Sequence, residues 1–206
     1  MATRGYRQAM RTIRLAGPAD AREVLEIYGP VVASTAISFE EEVPAESTMA
    51  GRIREALAFA PWLLCEDGGQ VVGYAYASRH RERAAYRWSV DVSVYVRDGC
   101  RRGGVGRALY TPLLALLRAQ GFHAAHAGVT LPNAASVGLH ESLGFRPVGV
   151  YARVGYKRGA WHDVGWWQLE LRDRSGAPAE PLSLEAIRRS AEWERALAAG
   201  AALLAR

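Results

Sequence analysis

Lysine is almost missing from this chain. Lys157 stands alone among 26 basic residues, the other 25 being arginine. Cysteine is equally sparse. Cys65 and Cys100 are the only two, too few for a disulfide framework or a zinc site on their own. The longest apolar run covers residues 196–205, about half of the ~20 residues that a membrane span requires. No apolar signal-peptide core follows the Arg-rich first 14 residues, so the reading is a soluble cytoplasmic protein. A disordered composition is missing too, because 50% of the 206 residues are hydrophobic and can fill a sizeable core. At ~150 residues per domain, this length predicts one compact domain with an appendage.

What is abundant is arginine in one place. The net charge is +5. Between residues 79 and 107 lie eight arginines (79, 81, 83, 87, 97, 101, 102 and 107) against Glu82, Asp91 and Asp98. That segment carries the whole excess. Such a concentrated field suits an anionic ligand, although a solvated basic face is the plainer explanation.

Periodicity predicts a strand over residues 12–16 and a helix starting at Pro18-Ala-Asp20, ended or broken at Gly29-Pro30. A second helix starts at Ser47 and closes at Pro61. Strands over 62–65 and 71–77 flank the turn Glu66-Asp67-Gly68-Gly69. Residues 88–96 alternate valines with Asp91, Ser93 and Tyr95, a third long strand. A helix over 105–120 contains Pro112 and is capped by Gly121. A strand over 124–130, a short helix over 133–143 stopped by Gly144, and a strand pair over 146–154 and 165–171 complete the body. The fold class is α/β, one α/β layer around a mixed sheet. The expected organisation is an N-terminal extension over 1–11, a domain over 12–173, and a linker with a C-terminal amphipathic helix over 174–206. On that helix Leu184, Ile187, Ala191 and Leu197 fall near one face.

Arg101-Arg102-Gly103-Gly104-Val105-Gly106-Arg107 follows a strand and opens a helix. Glycine lets backbone approach a ligand closely. Helix-start amides and their dipole then make a cradle for pyrophosphate, with the three arginines as charge-assisted donors. There is no Lys-Ser/Thr pair for a nucleotide P-loop, and the glycine spacing and strand position are wrong for a dinucleotide fingerprint. A glycine turn holding no ligand is the alternative.

Several stretches together resemble a known family. Val94-Tyr95-Val96 followed by Arg101-x-x-Gly104-x-Gly106 is similar to the acyl-CoA signature of the GNAT N-acetyltransferases. So is the helix motif Asn133-Ala-Ala-Ser136-x-x-Leu139-His140-Glu-x-Leu143-Gly144-Phe145. Within that family, Ile27-Tyr28, Phe39, residues 86–96, Leu131-Pro132-Asn133 and residues 159–169 resemble the phosphinothricin and methionine sulfoximine acetyltransferases. The resemblance spans residues 12–173. It implies a mostly antiparallel mixed sheet flanked by helices, acetyl-CoA as cosubstrate, no metal, a small amine acceptor and a homodimer.

Thioester-to-amine transfer needs a base, oxyanion donors, a stabilised leaving thiolate and alignment. Asp91 is the candidate base, pointing opposite Val90 and Val92; the resembling enzymes carry Glu here, one methylene longer. Its rival role is a solvent-facing carboxylate. His140 is the candidate acid, on one helical stripe with Asn133 and Ser136; its rival role is structural. The resemblance implies that backbone amides near Val94, Tyr95 and Val96, freed by a bulge, supply the oxyanion donors. It implies that Arg101, Arg102, Gly103, Gly104, Val105, Gly106 and Arg107 hold pyrophosphate, and that Asn133 and Ser136 face the pantetheine arm. Asn133 is equally suited to be a helix N-cap. Arg81, Arg83 and Tyr86 would line the acceptor pocket, with Phe39, Trp161 and His162 as walls or as core. His80, His123 and His126 are assigned to the surface or to turns. Cys100 adjoins the glycine loop, but sequence places no histidine beside it.

The acceptor is then a small anionic amino acid or glutamate mimic, since a cationic amine meets repulsion from Arg81 and Arg83. Another amine is the alternative within the class. A single-stranded nucleic-acid surface over residues 79–88 is disfavoured, because such surfaces need aromatics spaced over several strands. A non-catalytic CoA-binding protein is the remaining alternative. No nucleic acid and no membrane partner are expected.

Overall fold

The computed structural model describes residues 11–204. Of the expected N-terminal extension, residues 1–10 lie outside the described residues. The elements in order are β1 (Thr12–Leu15), α1 (Ala21–Ser34), α2 (Glu46–Leu57), β2 (Trp62–Asp67), β3 (Gln70–Arg79), β4 (Ser89–Val96), α3 (Val105–Gln120), β5 (Ala124–Leu131), α4 (Ala134–Ser142), β6 (Arg146–Lys157), β7 (Ala160–Glu170), α5 (Leu184–Arg188) and α6 (Ala191–Ala202). Short 3-10 turns occupy Pro18–Asp20 and Ala84–Tyr86.

Seven strands form one sheet in the order β1-β2-β3-β4-β5-β7-β6. Every pairing is antiparallel except β4 with β5. Strand alternation divides the side chains between two cores. Val90, Val92, Ala125, Ala127 and Val129 join the apolar face of α3 (Leu109, Leu113, Leu116, Leu117) on one side. Leu64, Tyr74 and Trp62 meet Val24, Ile27 and Val32 of α1 and Met49 and Ile53 of α2 on the other.

Three expectations need correction. First, α1 does not stop at Gly29-Pro30; it runs on to Ser34. Ile27, Tyr28, Val31 and Val32 are all buried on one stripe, and that packing outweighs the bond which Pro30 cannot donate. Second, the C-terminal segment is two helices. α5 has Ser183 as its N-cap, accepting from the Ala186 amide at 3.2 Å. The chain then turns at Arg189-Ser190, and α6 starts after the extended backbone of Ser190. Trp193, Ala196 and Gly200 face inward there, whereas Ala191 is exposed. Third, β6 and β7 are longer than expected, so Trp161 and His162 lie on a strand.

α6 packs along α3 and touches β1. Pro112 has no N–H for the Ala108 carbonyl, and Gly200 of α6 sits on that carbonyl. A Cβ at Gly200 would stand 2.6 Å from Ala108 O and 2.8 Å from Pro112 Cδ. The far end of α6 reaches the loop before α3, where a Gly104 Cβ would be 3.7 Å from Leu203 O. No helix among the described residues is long and apolar enough to cross a membrane.

Candidate active site

The site grows out of a defect in the sheet. β4 and β5 pair only from Ser89–Asp91 to Ala124–His126. β4 nevertheless continues to Val96 and β5 to Leu131. The two strands therefore diverge and leave a cleft of about 60 Å³ lined by Val94, Tyr95, Tyr110, Asn133, Ser136 and His140, among others.

The direction of the β4 amides follows from its ends. Trp88 O accepts from the His123 and Ala124 amides of the β5 side, while Arg97 N donates to Val72 O on β3. Alternation then turns the amides of Val94 and Val96 toward the gap, and those of Asp91, Ser93 and Tyr95 toward β3. The expected bulge is not what frees them. The β3–β4 register runs from Arg79–Val90 to Gly73–Val96 without a shift; divergence of β5 does the work. The Tyr95 side chain points the other way, packing against Tyr28 and Tyr74 with centroids 5.2 and 5.3 Å apart.

The loop before α3 has the anticipated form. Gly104 is the N-cap residue at φ 78°, and Arg102 also has positive φ, at 64°. Among the described residues, none of the amides from Gly103 to Arg107 donates to the backbone, the first helical bond being Ala108 N to Gly104 O at 2.9 Å. Those donors converge at a helix N-terminus, the arrangement that binds phosphate. Gly106 has a different reason to be glycine: a Cβ there would meet Leu139 Cδ2 of α4 at 3.0 Å. The arginines are partly engaged, Arg101 with Asp98 at 2.9 Å and Arg107 with Ser142 O at 3.3 Å.

On the sheet face opposite Val90 and Val92, Asp91 meets a histidine expected at the surface or in a turn. His80 Nδ1 lies 2.6 Å from Asp91 Oδ1. The His80 ring stacks on His126 at 4.2 Å and meets Tyr86 and Trp166 edge-on at 5.8 and 6.3 Å. The corresponding signal was the strand alternation itself. Continued past Ala77, it puts Ser78 opposite Asp91 and carries His80 onto the same face. Burial raises the Asp91 carboxyl and the hydrogen bond from His80 opposes the rise. Burial, then the His80 charge, lowers His126. Arg81 donates to His80 O at 2.7 Å, and its guanidinium lies 5.9 Å from the Trp166 ring. Arg83 and Tyr86 are exposed beside it.

His80, Asp91 and His126 each offer an atom of metal-ligating type within 4.8 Å of the others, the one such group among the described residues. Two ligands at ~2.1 Å in a tetrahedral shell would sit roughly 3.4 Å apart. The 2.6 Å contact is a hydrogen bond and leaves no such opening.

His140 is buried at 3% exposure. Its Nδ1 is 2.8 Å from Ser136 O, which can only accept, so Nδ1 carries the proton. Its Nε2 therefore accepts from the Tyr110 hydroxyl at 3.1 Å. Burial lowers its pKa, with the Ser136 bond opposing. A neutral imidazole with both nitrogens engaged is a poor proton source, which corrects the expected acid role. Tyr110, absent from the sequence expectations, donates the hydroxyl proton that holds His140 in this tautomer. Asn133 does cap α4, accepting from Ser136 N at 3.1 Å.

The wall residues come from the loop after α1. Phe39 packs onto Gly155 of β6, where a Cβ would overlap its ring, and lies 6.3 Å from His162. His162 Nε2 is bonded to Lys157 O at 3.0 Å, and Trp161 is exposed. Lys157 fixes this loop. Its buried ammonium donates to Val32 O, Ser38 O and Glu40 O at 2.7, 2.8 and 2.7 Å. A larger cavity, about 410 Å³, opens on the Asp91 face toward β2. Tyr76, Trp62, Met49 and the Arg52–Glu40 ion pair line it, and it was not foreseen.

The description "Acetyltransferase (GNAT) domain" matches residues 13–166. A phosphinothricin N-acetyltransferase of Streptomyces viridochromogenes is 38% identical over 169 residues, covering 82% of this chain and 90% of that one. An L-methionine sulfoximine/L-methionine sulfone acetyltransferase of Pseudomonas paraeruginosa is 40% identical over 169 residues, covering 81% and 98%. Among solved structures, a GNAT superfamily phosphinothricin acetyltransferase from Sinorhizobium meliloti in complex with acetyl-CoA superposes with a TM-score of 0.80 at 34% identity, covering 88% of this chain and 100% of that one. With its diverging central strands and its amide-lined loop, the chain belongs to the GNAT family and is an acetyl-CoA-dependent N-acetyltransferase.

Proposed function

We propose that the acceptor is a small anionic amino acid of the phosphinothricin or methionine sulfoximine type, acetylated on its amino group by direct transfer in a ternary complex. The observation that carries this reading is the juxtaposition on β4 of the Asp91–His80 pair with the gap-facing amides of Val94 and Val96. A base and two oxyanion donors thus share one rigid strand.

In this reading the pyrophosphate of acetyl-CoA sits on the amides from Gly103 to Arg107, with Arg101, Arg102 and Arg107 around it. The pantetheine arm passes Asn133 and Ser136 into the β4–β5 cleft. The Asp91 centre draws the proton from the acceptor ammonium. The amine attacks the thioester carbon, and charge developing on the carbonyl oxygen is met by the Val94 and Val96 amides. The Tyr110 hydroxyl spends its one proton on His140 Nε2, so the departing sulfur takes up the second proton of the attacking nitrogen. Burial pushes the Tyr110 pKa well up, so its proton stays in place. No acyl-enzyme is invoked. Cys65 is buried, its thiol pushed up to about 11 by desolvation, and neither cysteine is hydrogen-bonded to a histidine among the described residues.

Arg81, Arg83 and Tyr86 hold the acceptor anion, and Phe39 walls it from the β6 side. Each charge-assisted hydrogen bond is worth about 1.5–3 kcal/mol. Acetylation removes the ammonium that makes such compounds glutamate-like, which fits a resistance role in the cytoplasm, where acetyl-CoA is at hand. We further propose a homodimer through β6 and β7, where Val148, Val150, Tyr151, Val154, Tyr156 and Trp161 are exposed.

Thiol release with an acceptor panel tests the assignment. Phosphinothricin, methionine sulfoximine, glutamate and a polyamine should rank with the first two ahead. The double variant Arg81→Ala, Arg83→Ala should raise KM for the anionic acceptor about 10²- to 10⁴-fold and leave that for acetyl-CoA unchanged. Preferential turnover of the polyamine, or equal effects on both KM values, would refute it.

A further inference from the structure

We infer that the proton acceptor of the reaction is Nε2 of His80, with the Asp91 carboxylate behind it as the group that fixes and charges the imidazole. The inference rests on the acyl-transfer reading above and changes which atom does the work. Three observations support it.

The first is the tautomer. An ionised carboxylate can only accept, so the 2.6 Å contact requires the proton on His80 Nδ1. The Asp91 oxygen is thereby occupied, and the lone pair left over is that of Nε2. Among the described residues no side chain or backbone group is hydrogen-bonded to that nitrogen.

The second is pre-organisation. The His80 side chain is 15% exposed and Asp91 27%. The ring is held flat against His126 at 17° and is edged by Tyr86 and Trp166. The charged and titratable groups facing it are Asp91 from β4, His126 from β5, and Arg81 and Tyr86 from the segment between β3 and β4. Burial keeps His126 toward its neutral form. The stack can then accept one positive charge at His80 without a second beside it.

The third is reach. Asp91 is one methylene shorter than the glutamate of the resembling enzymes, and the imidazole carries the proton-accepting atom one ring further out from β4. Asp91 stabilises the imidazolium that results, as a carboxylate does behind any catalytic imidazole.

The step balances. An ammonium N–H bond breaks and its proton moves to His80 Nε2. The freed amine pair forms a C–N bond to the thioester carbon. The C–S bond then breaks with its electrons on sulfur, the second nitrogen proton ends on the thiol, and His80 returns its proton to solvent.

The test combines kinetics with a direct reading of the ring. Thiol-release rates are compared over about pH 5–9 for wild type, His80→Ala and Asp91→Glu, with acetyl-CoA affinity and thermal melting confirming intact folds. His80→Ala should lose about 10²- to 10⁴-fold in kcat with KM for acetyl-CoA unchanged. It should lose the wild-type acid limb and regain activity with added imidazole. A loss under threefold, an unmoved limb or no rescue would overturn the inference and leave direct catalysis by Asp91. ¹⁵N–¹H correlation spectra of the histidine rings decide the tautomer without any turnover, so they separate a wrong base from a wrong reaction. A proton on Nδ1 that is lost or redistributed in Asp91→Asn supports the dyad, and a proton on Nε2 in the wild type overturns it. Turnover abolished by a chelator and restored by Zn²⁺ would also overturn it, making the three side chains ligands.

Discussion

Replacing Lys157 with methionine removes the only lysine while keeping the side chain's length. The ammonium is buried, at 8% exposure, and all three of its donors are used on carbonyls of α1 and the following loop. Three charge-assisted bonds at about 1.5–3 kcal/mol each give a gross contribution of roughly 4.5–9 kcal/mol. Returning the ammonium to water recovers several kcal/mol of desolvation, so the net loss should be about 2–4 kcal/mol. For a domain of this size that corresponds to a Tm lower by about 4–16 °C, readable by circular dichroism. The same loop carries Phe39, so KM for the acceptor should rise while acetyl-CoA affinity holds. Lys157→Arg should not rescue, because a planar fork cannot serve three carbonyls converging on one point. A Tm within about 2 °C of wild type would refute the assignment of Lys157 as the clamp of this loop.

Gly155→Ala forces the Phe39 ring off β6. Since that ring is partly exposed, the expected outcome is a raised acceptor KM with little change in Tm. Gly200→Ala places a methyl against Ala108 O and Pro112 and should cost about 1–3 kcal/mol in denaturant unfolding. An unchanged unfolding midpoint would mean that α6 is loosely seated. Asp20 is held below its ordinary pKa of 3.8 by the Arg14 hydrogen bond first and the Gly17 amide next. A depressed folded pKa adds stability above the unfolded value that is lost as pH falls through the folded one. Asp20→Asn should therefore destabilise at neutral pH, and the difference should close in acid; a difference constant down to about pH 2 would contradict the linkage.

Much of the sheet could be read from the chain because its information is local. The valines at 90, 92 and 94, the cap Asn133 and the stops Gly121 and Gly144 each act within a few residues, and the structure has them doing what their chemistry predicts. Gly29-Pro30 reads as the end of α1 because it is a local veto, whereas the burial that overrides it, at Val31 and Val32, is collective. The C-terminal pair of helices was misjudged for the opposite reason. Ser190 stands at the N-cap position but spends its hydroxyl on Ile187 O at 2.7 Å, so it is the seating of Trp193 and Gly200 against α3 that makes the break worthwhile. The site has the same division. Asp91 and the glycine loop lie on either end of one strand and were visible. The amides of Val94 and Val96 are free because a strand 30 residues later diverges, a fact of pairing that no local pattern holds. His80 is the sharpest case. Its chemistry depends on being one register row beyond Ser78, opposite the end of β4, and an error of two residues in where β3 ends changes a turn histidine into the partner of Asp91. Where a site is built between strands, sequence supplies the side chains, and the register decides which of them can exchange a proton.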